Sequence, residues 1–235
     1  GAEQKQALED MIEFMKDPSK RDWTLEGRAG TGKTTIIGLL EKYIKKKLNK
    51  PYTVAYAAPT NAAAAYLALT TAELGNKNLP STVPSSIKKE KGSKKWDFTF
   101  KIRQLLDDDP KNRLFIVDES SMLEEGLTNN DIKHLREAAK DSNTKIIFMG
   151  DSGQIPAVGD TTKKQKGKPD PKNIPSIFNE NNKNKSVLTV VYRQKDGPAL
   201  DLLGQMHEDT KYVPRYVDDH DSIKFQSTST WKKEY

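Results

Sequence analysis

The chain has 235 residues, no cysteine, and 39 basic against 33 acidic side chains, a formal net charge of +6. The missing cysteines exclude disulfides and thiolate metal centres, and no apolar run approaches the ~20 residues that span a bilayer. Hydrophobic residues make up 34% of the sequence, enough for a core, and the acidic N-terminus (Glu3, Glu9, Asp10) lacks the apolar stretch of a secretory signal. The expectation is a soluble, intracellular, mildly basic protein. Because it opens on Gly1-Ala2 rather than Met, it is expected to be a piece of a longer one.

Leu8, Ile12 and Met15 recur at helical spacing, which predicts an amphipathic helix over 3–16, ended by Asp17-Pro18-Ser19. A strand at Trp23–Glu26 then runs into a glycine-rich turn and a helix from Lys33 to about Leu48. After Pro51, Thr53–Ala57 reads as a second strand and Asn61–Glu73 as an alanine-rich helix. Strand, helix, strand, helix in that order indicates an α/β fold with a parallel sheet and crossover helices.

The stretch 75–110 interrupts this order with Gly75, Pro80, Pro84 and a cluster of Lys88, Lys89, Lys91, Lys94 and Lys95. Trp96 to Ile102 alternates apolar and polar residues, which predicts a strand within a small hairpin-like insertion. The α/β order resumes with Leu114–Val117, a helix near 129–140 and Lys145–Met149; both strands are short apolar runs of the kind buried on two faces. Residues 160–186 read as a long exposed loop, Ser186–Val191 as a last strand, and Ala199–Met206 as a helix. The final thirty or so residues show no periodicity.

The sharpest chemical signal is Gly27-Arg28-Ala29-Gly30-Thr31-Gly32-Lys33-Thr34, a complete G-x-x-x-x-G-K-S/T phosphate loop between a strand and a helix. Its glycines let backbone N–H groups converge on phosphate oxygens at a helix N-terminus. Gly27 and the run Ala29, Gly30, Thr31, Gly32, Lys33, Thr34 and Thr35 are the expected nucleotide-binding residues. Lys33 would reach the outer phosphates, and the Thr34 hydroxyl would ligate Mg²⁺. Asp118-Glu119, at the end of an apolar strand, supplies the metal's carboxylate partner (Asp118) and a base for the attacking water (Glu119), the mark of a hydrolase. No Asn-Lys-x-Asp segment is present to read guanine.

Two further strand ends carry polar groups. In Met149–Pro156, Gln154 either senses a γ-phosphate or its water, or belongs to a turn stabilised by Asp151 and Gly153. After Leu188–Val191, Tyr192 can stack on a base and Arg193 can stabilise charge developing on the γ-phosphate, or serve as a surface cation. The histidines, His134, His207 and His220, are isolated in the sequence.

These four segments, in this order, resemble superfamily 1 helicases, most closely the 1B branch of Dda- and RecD-like enzymes, from Gln4 to about Arg193. Gln4 resembles the Q motif, which contacts adenine. Ala57–Ala63 is similar to motif Ia, which implies nucleic-acid contacts at Pro59, Thr60 and Asn61, and Ser81–Ile87 is similar to motif Ib, which implies one at Thr82. Pro84 stands where the family has His. Asp118–Met122 resembles the branch's D-E-x-S-M block.

The resemblance implies a RecA-like ATP-binding domain over 1–87 and 111–195 and an insertion at 88–110, where the family has its strand-separating hairpin. Residues 196–235 would begin a second RecA-like domain, whose motifs V and VI are missing after Arg193. The implied ligands are ATP, Mg²⁺ and single-stranded DNA, with hydrolysis driving 5′-to-3′ movement in the full-length protein. Replication or recombination proteins are possible partners, and a phage or bacterial origin fits the branch. A viral RNA helicase, a loader-type ATPase and a nucleic-acid-binding module without turnover are the alternatives. The insertion's lysines and aromatics (Trp96, Phe98, Phe100) fit either a strand-tracking surface or one packed face with solvated lysines.

Overall fold

The computed structural model describes residues 1–47, 53–73, 79–89, 91–92, 95–106, 113–124, 130–154, 176–178 and 182–192. Helix α1 (Ala2–Lys16) leads into β1 (Asp22–Gly27), α2 (Lys33–Lys47), β2 (Thr53–Ala58) and α3 (Asn61–Glu73). Then come β3 (Ser81–Thr82), α4 (Val83–Ser86), β4 (Ile87–Lys89), β5 (Trp96–Phe98) and α5 (Phe100–Leu105). Strand β6 (Arg113–Val117), α6 (Asp131–Asp141), β7 (Thr144–Gly150) and β8 (Lys185–Leu188) follow, with short 3-10 turns at Ser120–Met122 and Ser176–Phe178. Residues 1–191 form one unit; 192–235 form a second, of which Tyr192 is described.

Six strands make one sheet in the order β3-β2-β6-β7-β1-β8, every pairing parallel. A parallel sheet needs helices on both faces, and β7 shows the consequence: all seven of its residues are buried. Ile147 and Met149 point to the face covered by Met11 and Phe14 of α1, Ile37 and Leu40 of α2 and Leu67 of α3. Ile146 and Phe148 point to the other face, against Phe98, Ile102 of α5 and Ile132 and Leu135 of α6. Among the described residues, the expected strands and helices outside the insertion are present, shifted by one or two residues at most except at β8, which stops at Leu188 rather than Val191; the helix expected at 199–206 lies outside the described residues.

Lys145 at the start of β7 holds α1 in place. Its ammonium donates to the carbonyls of Phe14 (2.9 Å), Asp17 (2.6 Å) and Lys20 (2.7 Å) and lies 4.5 Å from the Phe14 ring centroid. It thereby satisfies the Phe14 carbonyl, which the end of α1 leaves without an intrahelical partner, and ties down the turn that follows.

The insertion corrects one expectation. The strand stops at Phe98, and Phe100–Leu105 is helical, beginning after Thr99, whose N–H donates to the Ser86 carbonyl at 2.8 Å. A strand would have placed Phe98, Phe100 and Ile102 on one side. Instead Phe98, Ile102 and Leu106, spaced by four, are buried, while Phe100 is 70% exposed. The two-residue alternation concealed a four-residue period. Strand β5 pairs antiparallel with β4, and Trp96 stacks on His134 of α6 at 4.0 Å between ring centroids.

Two more differences are local. The short β3 and α4 were not foreseen; Pro84 occupies the first turn of α4, where a missing N–H costs nothing. Within the expected loop 160–186, Ile177 and Phe178 are buried rather than exposed. Among the described residues no helix is long and apolar enough to cross a membrane.

Candidate nucleotide and nucleic-acid site

Because all six strands run parallel, their C-terminal ends share one edge, and the phosphate loop, Pro59–Asn61, Thr82, Asp118-Glu119 and Gln154 lie at or follow strand ends along it. The crevice outside those ends is where open α/β sheets bind ligands. Strand β1 ends at Gly27, and α2 starts at Lys33. Between them the backbone turns through positive φ at Gly30 (85°) and Gly32 (91°). The φ at Gly32 is what requires glycine; a β-carbon there would also push the end of the Gln4 side chain off its present place.

The Lys33 ammonium folds over its own loop and donates to the carbonyls of Gly27 and of Arg28, the latter at 3.1 Å. Thr31 closes the loop on itself: its hydroxyl and its N–H both donate to the Arg28 carbonyl, at 2.8 and 3.3 Å. Gln4, from α1, donates through Nε2 to the Thr31 carbonyl at 2.9 Å. Gln4 therefore touches the phosphate loop itself. Its neighbour Glu3 accepts from the Thr189 N–H (2.8 Å), the Thr189 hydroxyl (2.5 Å) and the Val190 N–H (3.2 Å), just past β8.

At the end of β6, the Asp118 N–H donates to the Ala57 carbonyl at 2.9 Å, and its Oδ1 accepts from the Glu119 N–H at 2.9 Å. Glu119 has φ 51° and ψ 38°, a left-handed conformation that costs a non-glycine residue about 1–2 kcal/mol. Burial raises the Asp118 carboxyl above its ordinary value, opposed by the Glu119 N–H and the Lys33 charge. Glu119 is raised first by burial, then by Asp118 and Asp151, again opposed by Lys33. Lys33 and these acids thus share one electrostatic neighbourhood.

The β7 end joins them. A β-carbon on Gly150 would come within 2.7 Å of Phe178 Cζ, 3.1 Å of the Ser121 nitrogen and 3.2 Å of the Ser120 nitrogen, so glycine lets the two turns close together. Asp151 Oδ1 accepts from the Gly153 N–H at 3.0 Å, the Asp151 carbonyl accepts from the Gln154 N–H at 3.1 Å, and the Ser121 hydroxyl donates to Gln154 Oε1 at 3.4 Å. Gln154 is therefore both a turn residue and a neighbour of the acidic block.

On the far side of β6, Ala58 of β2 pairs with Thr82 of β3, so Pro59–Asn61 and Thr82 leave adjacent strand ends. Thr60 and Asn61 are exposed, and the Thr60 hydroxyl accepts from the Ala63 N–H at 3.2 Å at the start of α3. The Thr82 hydroxyl accepts from the Ser85 N–H at 3.3 Å and caps α4. Tyr192 is exposed and belongs to the second unit; Arg193 lies outside the described residues, as does the helix expected at 199–206.

Sequence reasoning missed the supporting side chains. Glu26 of β1 accepts from the Ser152 hydroxyl, and its Oε2 lies 3.5 Å from Lys185 Nζ. Tyr56 of β2 donates to the buried Glu41 of α2, and burial raises its phenol far above the ordinary value. A charge inside an otherwise buried strand or helix face was the available signal in both cases.

The fold and the phosphate loop define a P-loop nucleotide-binding domain with a RecA-like sheet. Residues 1–228 match the AAA domain family, and the chain belongs to it. No curated protein matches the chain. Among solved structures, the Pif1 helicase from Candida albicans superposes with a TM-score of 0.53 at 21% identity, over 88% of this chain and 44% of that one. A Bacteroides Pif1 bound to ssDNA gives 0.48 at 21% identity, over 85% and 45%. Drosophila ORC bound to DNA gives 0.31 at 15% identity, over 84% and 45%. The Candida likeness establishes the fold, and the chain spans less than half the length of these structures.

Proposed function

We propose that this domain is the N-terminal motor of an ATP-dependent DNA helicase, which binds ATP with Mg²⁺ and grips single-stranded DNA. The observation that carries this reading is the placement of Lys33, Asp118, Glu119 and Gln154 on one sheet edge with Pro59, Thr60, Asn61 and Thr82. A phosphate loop with its acidic partners beside a polar ledge is what coupling hydrolysis to strand movement requires.

The chemistry of the donors fits Mg²⁺. The Thr34 hydroxyl and the Asp118 carboxylate are hard oxygen ligands, and the desolvation that raises Asp118 is relieved by a cation beside it. Bound there, Mg²⁺ would offset charge on the phosphates. Lys33, now satisfied by two loop carbonyls, exchanges them for phosphate oxygens when a nucleotide enters. Glu119, with its raised affinity for a proton, takes one from the attacking water. Gln154 orients that water or the terminal phosphate. By the helicase resemblance, Arg193 adds positive charge at the γ-phosphate and Tyr192 lies by the base.

The same reading assigns 5′-to-3′ movement and a second RecA-like domain to the full-length protein, and makes residues 88–110 its strand-separating insertion. The test is DNA-stimulated ATP hydrolysis by the longest natural chain beside its Glu119→Gln variant. A fall of about 10²-fold or more supports the assignment; equal turnover removes it. Preference for RNA over DNA in single-strand competition would redirect the reading to an RNA helicase.

A further inference from the structure

We propose that Glu26 is a positioning residue for nucleotide sensing: through Ser152 it sets the height of the Asp151–Gln154 turn above the phosphate loop. This rests on the role given to Gln154 above. Glu26 is the last residue of β1 before Gly27, and in the sheet it lies level with Gly150 on one side and Val187 on the other. Its side chain is only 14% exposed, and a carboxylate is rarely so buried without partners. One oxygen accepts from the Ser152 hydroxyl; the other faces Lys185, whose ammonium also donates to the Phe178 carbonyl at 3.5 Å.

The geometry has a direct consequence. The turn carrying Gln154 is closed internally by Asp151 and held to the acidic block by the Ser121 hydroxyl at 3.4 Å, a long contact. Ser152–Glu26 attaches that turn to the strand that carries the phosphate loop. A charge-assisted hydrogen bond is about twice as strong as a neutral one. With it in place, Gln154 and Lys33 are referenced to the same strand. Without it, the turn still hangs from the end of β7 and touches Ser121, but the Ser152 end is released from β1 and the reach of Gln154 toward a terminal phosphate is set less tightly.

The test compares affinities of Mg²⁺-ADP and Mg²⁺-AMP-PNP, which differ by the terminal phosphate. Ser152→Ala and Glu26→Ala should weaken AMP-PNP binding roughly tenfold, as Gln154→Ala does, while ADP affinity stays within about twofold. Adding Gln154→Ala to either should cause no further loss. Glu26→Gln, whose amide oxygen still accepts from Ser152, should recover most of the affinity. Ser152→Ala removes one oxygen only, so it reads the same contact if Glu26→Ala fails to fold. Unchanged AMP-PNP affinity in Ser152→Ala, or equal weakening of both nucleotides, overturns the proposal. A wild-type chain that binds neither nucleotide overturns the nucleotide-binding reading itself.

Discussion

Gln4 of the first helical turn donates its side-chain amide to the carbonyl of Thr31, 27 residues away in the phosphate loop, at 2.9 Å. The contact places an α1 side chain directly against Gly32. Gly32→Ala should therefore fail chiefly on its φ of 91°, with the Gln4 side chain displaced from the phosphate loop as a smaller, added effect. We expect a stability loss of about 1–2 kcal/mol from the backbone alone, with loss of measurable nucleotide binding by fluorescence titration. Removing the collision in Gly32→Ala/Gln4→Ala should recover only part of the stability.

Glu119 allows stability and chemistry to be separated. Its left-handed backbone favours glycine, so Glu119→Gly should raise the unfolding free energy by about 1 kcal/mol in urea titrations while abolishing hydrolysis. A destabilised Glu119→Gly chain would show that side-chain contacts outweigh the backbone strain. Because burial and the neighbouring acids raise its carboxyl, the acid limb of the ATPase pH profile should lie above the ordinary carboxylate range.

Lys145 gives a pH signature. Burial, assisted by Arg21 and Lys20 and opposed by Asp17, lowers its pKa from 10.5 to about 8. Below pH 8 folded and unfolded chains both hold the proton. Between about 8 and 10.5 the unfolded chain holds more, so this group's contribution to stability rises with pH across that window. Lys145→Met should destabilise at pH 7 by about 1–3 kcal/mol through unpaired carbonyls. The gap between wild type and variant in urea midpoints should widen from pH 7.5 to 9.5.

The insertion's two phenylalanines should behave oppositely. Phe98 is fully buried with its ring centroid 4.9 Å from that of Phe115, so Phe98→Ala should cost about 3–5 kcal/mol. Phe100→Ala, at an exposed position, should change thermal stability by less than about 0.5 kcal/mol.

Much of the site was legible because a phosphate loop must be written contiguously: backbone N–H groups converge only if glycines stand at fixed places between a strand and a helix. Asp118, Glu119 and Gln154 were legible because apolar runs end where a parallel sheet meets its ligand edge. The aromatic segment was misread because Trp96–Ile102 satisfies two periods at once. What decided between them was the pocket under β6, where Phe98, Ile102 and Leu106 find Phe115.

Composition, charge and motif order by themselves determined an α/β phosphate-loop domain with a basic insertion and no disulfides. The opening net charge of +6 named no partner; only folding shows where cations act, with Lys145 spent on the end of α1 and Lys185 facing Glu26. Only the tertiary structure could bring Gln4 to Thr31, Glu3 to Thr189 and Glu26 to Ser152. Those pairs join residues 27, 186 and 126 positions apart, and parallel strand order, which no local pattern encodes, sets which of them meet.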